Sequence, residues 1–327
     1  MQYTYLGRSG LRVSRLCLGT MNFGATTSEK DAFAIMDKAL EEGITFFDTA
    51  NVYGGEGHRG RTEEIIGRWF ALGGARRESV VLATKAYNTM GNSEDGPNDA
   101  RGLSAYKIRR HLQASLKRLQ TDHVELYQMH HVDRSVSWEE LWGVYEALVD
   151  SGVIDYVGSS NFGARHLCYA QGAADKRNFL GLVSEQHKYS LNCRLPELEL
   201  LPAAEDLGIG VICWSPLGGG LLSGSVGNPA EGSRSARLVD HLTPAERDQG
   251  QAYADLCQEI GAPPAGVALA WLLTHRAVTA PIIGPRTLDQ LVSAIACLDL
   301  SLDSDVMDRL DNLFPGPGGE APEAYAW

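Results

Sequence analysis

The sequence predicts a closed (β/α)8 barrel of the TIM type, with an N-terminal β-hairpin and one extra C-terminal helix. Three observations carry this. Short apolar, β-branched runs alternate with segments of helical period, the alternation completes eight units between residues 15 and 300, and no Pro/Ser/Gly linker interrupts it. Near-continuous apolar strands separated by helices require a parallel sheet covered on both faces, and eight such units suit closure better than an open sheet. Residues 1–327 are therefore read as a single barrel domain.

The elements follow in order. Residues 1–14 hold two short alternating runs around Arg8-Ser9-Gly10, as expected of a hairpin closing the barrel bottom. The strand and helix pairs are then 15–20 with 28–42, 45–50 with 61–72, 80–85 with 104–119, and 124–130 with 137–151. The remaining pairs are 154–161 with 163–177, 182–186 with 196–207, 210–214 with 244–275, and 278–284 with 287–298. In the third helix Ile108, Leu112, Leu116 and Leu119 share one face, leaving Arg109, Arg110 and Lys117 elsewhere. A capped stretch over 303–314 predicts the extra helix, and the Pro/Gly-rich 315–327 an irregular tail. Two irregular stretches, 88–103 and 217–243, are long enough to be expected as functional or mobile loops.

Composition narrows the function. Of 327 residues, 44% are hydrophobic, 21% charged and 8% aromatic, which excludes collagenous, disordered and disulfide-stapled chains. Lys and Arg number 29 against 41 Asp and Glu, and the net charge of −12 repels phosphate backbones and anionic lipid heads. No nucleic-acid or membrane partner is expected. Cys17, Cys168, Cys193, Cys213, Cys257 and Cys297 are dispersed without a C-x-x-C pair and read as reduced core residues, with no metal site. The N-terminus lacks the apolar stretch of a secretory signal, and no window reaches the ~18 consecutive apolar residues of a spanning helix. A cytoplasmic protein is expected, its oligomeric state left open.

In such barrels the chemistry sits on loops leaving the C-terminal ends of the strands. Here those ends are polar: Asp48 to Gly54, Thr84-Lys85, His130-His131, Ser159-Ser160-Asn161, Glu185-Gln186, Trp214-Ser215-Pro216 and Gly284-Pro285-Arg286. One polar end is merely a strand entering solvent; seven in succession point to a site. Asp48, Tyr53, Lys85 and His130 form a candidate catalytic set. A phenol titrates near ~10; an adjacent ammonium lowers that value, and a carboxylate keeps the ammonium charged. Tyr53 is thus expected to donate a proton, tuned by Lys85, with Asp48 holding Lys85 and a neutral His130 orienting a substrate carbonyl. Taken singly, each has an equally good structural reading: a buried ion pair, a capped loop, a histidine satisfied by backbone. His130 and His131 are adjacent on a strand and point to opposite faces, so His131 is expected to be structural. A dinucleotide-binding G-x-G-x-x-G after the first strand, a P-loop, H-E-x-x-H and G-x-S-x-G are all absent from the sequence.

With their neighbours these residues resemble the aldo-keto reductases, through G-I-T-F-F-D-T-A-N-V-Y-G (43–54), V-L-A-T-K (81–85), V-E-L-Y-Q-M-H (124–130) and Y-V-G-S-S-N-F (156–162). Three later segments continue the match: S-E-Q-H-K-Y-S-L (184–191), W-S-P-L-G-G-G-L-L-S-G (214–224) and I-I-G-P-R-T-L-D-Q-L (282–291). The resemblance covers roughly residues 3–300 in order. It implies a barrel that reduces small-molecule aldehydes, ketones or keto-sugars with NADPH, Tyr53 acting as general acid beside Asp48, Lys85 and His130. It also implies a cofactor site, to which Asp48 belongs as well. Trp214 would stack on the nicotinamide, Ser160, Asn161 and Gln186 would bind its carboxamide, and Thr20 and Met21 would lie beneath it. Ser215, Pro216, Leu217, Gly218 and Gly219 would wrap the pyrophosphate, glycines letting backbone N–H groups approach the anion. Gly284, Arg286 and Gln290 would take the adenosine end, Arg286 being the fork-shaped donor to a 2′-phosphate that favours NADPH over NADH.

Members resembling potassium-channel β subunits carry a Lys where this chain has Ser225, and a Glu-Asn pair where it has Ser293 and Ala294. The phrase H-H-V-D-R (130–134) and the tail are similar to actinobacterial members, some of which reduce keto-deoxysugar nucleotides. The alternative function is a barrel that retains NADPH as a redox-sensing ligand and acts through partners, as the potassium-channel β subunits do.

Overall fold

Eight parallel strands close on themselves in the computed structural model, which describes residues 1–97, 100–224 and 241–326. After an antiparallel hairpin of β1 (Tyr3–Tyr5) and β2 (Arg12–Ser14), the barrel strands are β3 (Cys17–Gly19), β4 (Phe46–Asp48), β5 (Val81–Ala86) and β6 (Val124–Met129). They continue as β7 (Ile154–Ser160), β8 (Leu182–Lys188), β9 (Gly210–Trp214) and β10 (Val278–Ile283), and β10 returns to β3 through Ile282↔Cys17 and Ile283↔Leu18. The helices are α1 (Glu29–Glu41), α2 (Arg61–Phe70), α3 (Ala105–Leu119), α4 (Trp138–Asp150), α5 (Ala164–Asp175) and α6 (Leu200–Asp206). After them come α7 (Pro244–Glu259), α8 (Pro264–Thr274), α9 (Leu288–Ile295), α10 (Ser304–Leu313) and α11 (Glu323–Ala326). The barrel prediction holds.

Two apolar compartments follow from the strand pattern, because successive side chains alternate between the barrel interior and the helix layer. Cys17, Phe46, Ala83, Leu126, Val183, Ile212 and Ala280 fill the interior, and Leu6 and Val13 of the hairpin segment join them from below. Gly7 makes that plug possible: its φ is +55°, and a Cβ there would lie 2.5 Å from the Val183 carbonyl oxygen. The second compartment lies between strands and helices. On α3 the foreseen stripe is buried at Ile108, Leu112 and Leu119 and half-buried at Leu116, while Arg109 and Lys117 are exposed.

Several boundaries differ from the sequence reading. The single helix expected over 244–275 is two, α7 and α8, bent by 91° where Pro263 and Pro264 withhold the N–H groups that continuity needs. The stretch 196–207 divides into a 3-10 turn, Leu195–Glu197, and α6, and 287–298 into α9 and a 3-10 turn, Ala296–Asp299. The extra helix is present as α10, with the Asp303 carboxylate accepting the Val306 N–H at 2.9 Å, and the tail ends in the short α11. Strand β6 stops at Met129, so His130 and His131 lie just past it. Cys17, Cys213, Cys257 and Cys297 are buried, but Cys168 is exposed on α5 and Cys193 half-buried, so two of the six are not core residues.

The 88–103 stretch is folded around Asp95, although Asn98 and Asp99 lie outside the described residues. In 217–243 the 3-10 segment Gly218–Ser223 is described, whereas Ser225 and the rest to residue 240 lie outside. Among the described residues no single helix is long and apolar enough to cross a membrane; the bent pair α7 and α8 passes that test only when its two parts are joined.

Helix α2 approaches α3 so closely at Gly67 that a Cβ there would lie 2.1 Å from the Arg118 carbonyl oxygen. Gly67→Ala should therefore cost about 2 kcal/mol in urea unfolding, within the range for overpacked cores. On α4, a Cβ at Gly143 meets nothing within 4 Å. Gly143→Ala should accordingly be neutral or stabilise by up to about 1 kcal/mol through helix propensity.

Candidate active site

The floor of the barrel mouth is a buried ion pair. Asp48 ends β4 and Lys85 lies near the end of β5; their side chains are 3% and 0% exposed and Lys85 Nζ lies 2.6 Å from Asp48 Oδ2. The ammonium also donates to the Thr49 carbonyl oxygen at 2.7 Å. The second carboxylate oxygen, Oδ1, accepts from Gln128 Nε2 at 3.0 Å and Gln186 Nε2 at 2.8 Å. Burial works against the Lys85 charge, yet Asp48, seconded by Tyr53, outweighs it and holds the ammonium above its ordinary range.

Tyr53 hangs over this pair from a turn closed by its own N–H donating to the Ala50 carbonyl at 3.1 Å. Lys85 Nζ lies 5.0 Å from the centroid of its ring and interacts with the hydroxyl. The expected acidification of the phenol is not what the site produces: burial raises its pKa above the ordinary value, and the opposing pull of Lys85 does not overcome it. Burial is the larger cause, and the Asp48 carboxylate adds to it. A phenolate would be a second anion beside Asp48 in a desolvated mouth, sharing one ammonium. Tyr53 is thus held as a protonated O–H donor.

His130 stands edge-on to Tyr53, ring centroids 5.9 Å apart at 82°. Its Nδ1 is buried and has no partner among the described residues. Burial, then Lys85 and His131, push its pKa down to about 3, which keeps the imidazole neutral as expected. His131 is exposed, its Nδ1 3.1 Å from the Val132 carbonyl, in keeping with a structural role.

The strand ends from β7 to β10 carry the remaining polar residues beside this mouth. Asn161, in a left-handed conformation (φ +60°), donates from Nδ2 to Ser160 Oγ at 2.9 Å and accepts from Trp214 Nε1 at 3.1 Å. Ser160 Oγ donates to the Gln186 carbonyl at 2.9 Å, and Thr20 Oγ1 to the Asp48 carbonyl at 2.9 Å, while Met21 is exposed. Beyond Trp214, Ser215 (φ +52°), Gly218, Gly219 and Gly220 all hold positive φ, and a Cβ at Gly219 would meet nothing within 4 Å among the described residues. Pro216 is buried and Leu217 half-buried in the same turn. At the head of α9 the Arg286 N–H donates to Gln290 Oε1 at 2.8 Å, and the Gly284 carbonyl accepts from Asn22 Nδ2 at 2.9 Å. Backbone at Gly219 that is open among the described residues, the His130 nitrogen without a partner among them, and Arg286 one residue before the N-cap of α9 fit an anionic, hydrogen-bonding ligand of dinucleotide type.

A family model for the aldo/keto reductases matches residues 15–314. The chain belongs to the aldo/keto reductase family. This aldo/keto reductase is 61% identical over 327 residues, the whole of both chains, to the protein named uncharacterized oxidoreductase YrpG of Bacillus subtilis (strain 168). It is 34% identical over 337 residues to Protein tas of Escherichia coli (strain K12), covering 95% of this chain and 97% of that one. A protein of Oryza sativa subsp. japonica named probable voltage-gated potassium channel subunit beta is also 34% identical, over 95% of this chain and 96% of its own.

Sequence reasoning overlooked two residues that hold this aldo/keto reductase site together. Gln128 anchors Asp48, and its signal was its parity: it follows Leu126 by two on β6 and so faces the interior. Glu185, noted only as a strand end, points the other way and is fully buried. It accepts from Ser159 Oγ at 2.5 Å and from the Phe162 N–H at 2.9 Å, fixing the turn that carries Asn161, and burial raises its pKa.

The depressed His130 pKa has a stability consequence. The unfolded chain takes up this proton below about 6.5, whereas the native imidazole resists it until about 3, so stability falls as pH drops through that window. His130→Gln should remove part of that loss, read as a shallower fall of the urea midpoint between pH 6.5 and pH 4, with little change at pH 8.

Proposed function

We propose that this chain, acting as one barrel domain, reduces aldehyde or ketone groups of small molecules with NADPH, Tyr53 supplying the proton. The observation that carries the reading is the meeting, at one mouth, of the Lys85 and Asp48 pair, the protonated Tyr53 hydroxyl and the unpartnered Nδ1 of His130. NADPH, when bound, supplies the hydride. Trp214, Ser160, Asn161, Gln186, Thr20 and Met21 would hold its nicotinamide end, the Ser215–Gly219 turn its pyrophosphate, and Gly284, Arg286 and Gln290 its adenosine end. The neutral His130 orients the carbonyl by a hydrogen bond. As the carbonyl oxygen gains negative charge it becomes more basic than a phenolate, and the proton moves to it from Tyr53 Oη. Lys85, kept charged by Asp48, stabilises the phenolate left behind. The net charge of −12 supports an enzyme without nucleic-acid or membrane partners, and the dispersed cysteines support a cytoplasmic one.

A second reading is favoured by the likeness to the rice protein named as a potassium channel β subunit: a barrel that binds NADPH with little turnover. Cofactor binding without turnover across a broad panel of aldehydes and ketones would select it.

Two substitutions test the main reading. In NADPH oxidation with 4-nitrobenzaldehyde, Tyr53→Phe should lower kcat by about 100-fold or more, the usual contribution of a general acid, and leave NADPH affinity within about twofold. Equal rates for both proteins would refute the proton role. Arg286→Ala should weaken NADPH by about tenfold or more and NADH far less, as loss of a charge-assisted phosphate contact demands, measured by quenching of protein fluorescence. Equal weakening of both coenzymes removes Arg286 from the 2′-phosphate.

A further inference from the structure

The turn that carries Tyr53 is bolted to α3 by a buried polar line that the reaction above does not use. Asn51 lies two residues before Tyr53 and is fully buried; its N–H donates to the Lys85 carbonyl at 3.2 Å. Its side-chain Nδ2 lies 2.9 Å from Nδ1 of His111, which sits on α3 and is also fully buried. The other ring nitrogen of His111, Nε2, lies 3.1 Å from Oδ1 of Asp95. Asp95 in turn gathers the loop after β5, accepting from Thr89 Oγ1 at 2.6 Å and from the N–H groups of Met90 at 2.9 Å and Gly91 at 2.7 Å, with Lys107 Nζ 3.6 Å away.

One protonation pattern satisfies both contacts of the His111 ring, while Asn51 Oδ1 is buried without a partner among the described residues. Burial opposes the Asp95 charge, but the donors from Thr89, Met90 and Gly91, with Lys107, hold the carboxyl well below the usual carboxylate range. A carboxylate only accepts, so His111 Nε2 carries the proton. Burial, then Lys107, lowers the His111 pKa against the pull of Asp95 and Glu94, leaving the ring neutral, so its Nδ1 is bare and accepts from the Asn51 amide. Filling this space with apolar side chains would avoid burying a carboxylate, an imidazole and an amide. What the polar line adds is direction: it fixes the rotation of the Asn51 amide and with it the path of the turn to Tyr53.

We propose that His111, acting through Asn51, is a positioning residue that holds the Tyr53 hydroxyl in register with Lys85 and His130, while Asp95 orients the imidazole. The inference rests on Tyr53 being the proton donor. It ties the loop after β5 to the same turn, because Arg59, six residues past Tyr53, hydrogen-bonds the Thr89 carbonyl at 2.5 Å.

Two substitutions at one position separate positioning from bulk packing. His111→Asn offers an amide oxygen where Nδ1 stood and keeps the Asn51 link, while His111→Gln reaches Asp95 and loses Asn51. In NADPH oxidation with 4-nitrobenzaldehyde, His111→Gln should lower kcat by about tenfold or more, as small misplacements of a reacting group do, with KM and NADPH affinity within about twofold. His111→Asn should stay within about threefold of wild type. Loss of kcat to the same extent in both variants, or in neither, overturns the proposal. Two readouts do not depend on turnover. The ¹³Cζ resonance of Tyr53, assigned with Tyr53→Phe, should move in His111→Gln and not in His111→Asn; an unmoved resonance in both counts against positioning. In the wild-type protein, ¹⁵N spectra of histidine should show His111 protonated at Nε2 alone, and the opposite tautomer would break the line as drawn. A wild type that binds NADPH without turnover would overturn the reductase reading, while these spectra still decide the positioning.

Discussion

Lys85 and Asp48 face each other across 2.6 Å with almost no access to water, and each is the other's reason for remaining charged. Deleting one member of such a pair strands a buried charge and typically costs about 3–5 kcal/mol. Its remaining valences are filled by Gln128, Gln186 and the Thr49 carbonyl, each from a different stretch of the barrel wall. The mouth is therefore organised around a single fixed positive charge. Tyr53, His130 and any incoming carbonyl must arrange themselves with respect to it; burial keeps the imidazole neutral with the help of this charge, and keeps the phenol protonated against its pull.

Much of this was legible in the sequence, for reasons that can be named. The barrel followed from the alternation of apolar strands with helical segments, and Asp48, Lys85 and Tyr53 stood out because charged or phenolic groups ended apolar runs. Local order was harder. The apolar period of 244–275 runs through Pro263 and Pro264, and the proline pair decided the structure where the period did not. The direction of the Tyr53 pKa escaped because spacing reveals a neighbouring ammonium but not how dry the mouth is. Asp95, His111 and Asn51 escaped because their partnership spans sequence separations of 16 and 60 residues, and only the packing of α3 against the barrel brings them together.

The strand ends beside the mouth show a related economy of backbone. Asn161 and Ser215 both hold left-handed conformations that disfavour side chains, and they flank Trp214 on the strand ends. Glu185 supports one of these turns through the Phe162 N–H, and the Ser215 carbonyl accepts the Gly218 N–H at 2.9 Å in the other. Strain of this kind persists only where the surroundings over-determine it. Here the surroundings are the closed strands themselves.

The hairpin plug has a consequence for the chemistry at the opposite end. Leu6 and Val13 stopper the barrel from beneath, with apolar side chains filling the shaft above them. The charged pair therefore lies away from the plugged end, toward the mouth at the top. Whatever settles over that opening sets the local dielectric in a single move, strengthening the field of the ammonium at the moment a reactant is enclosed and relaxing it when the product departs.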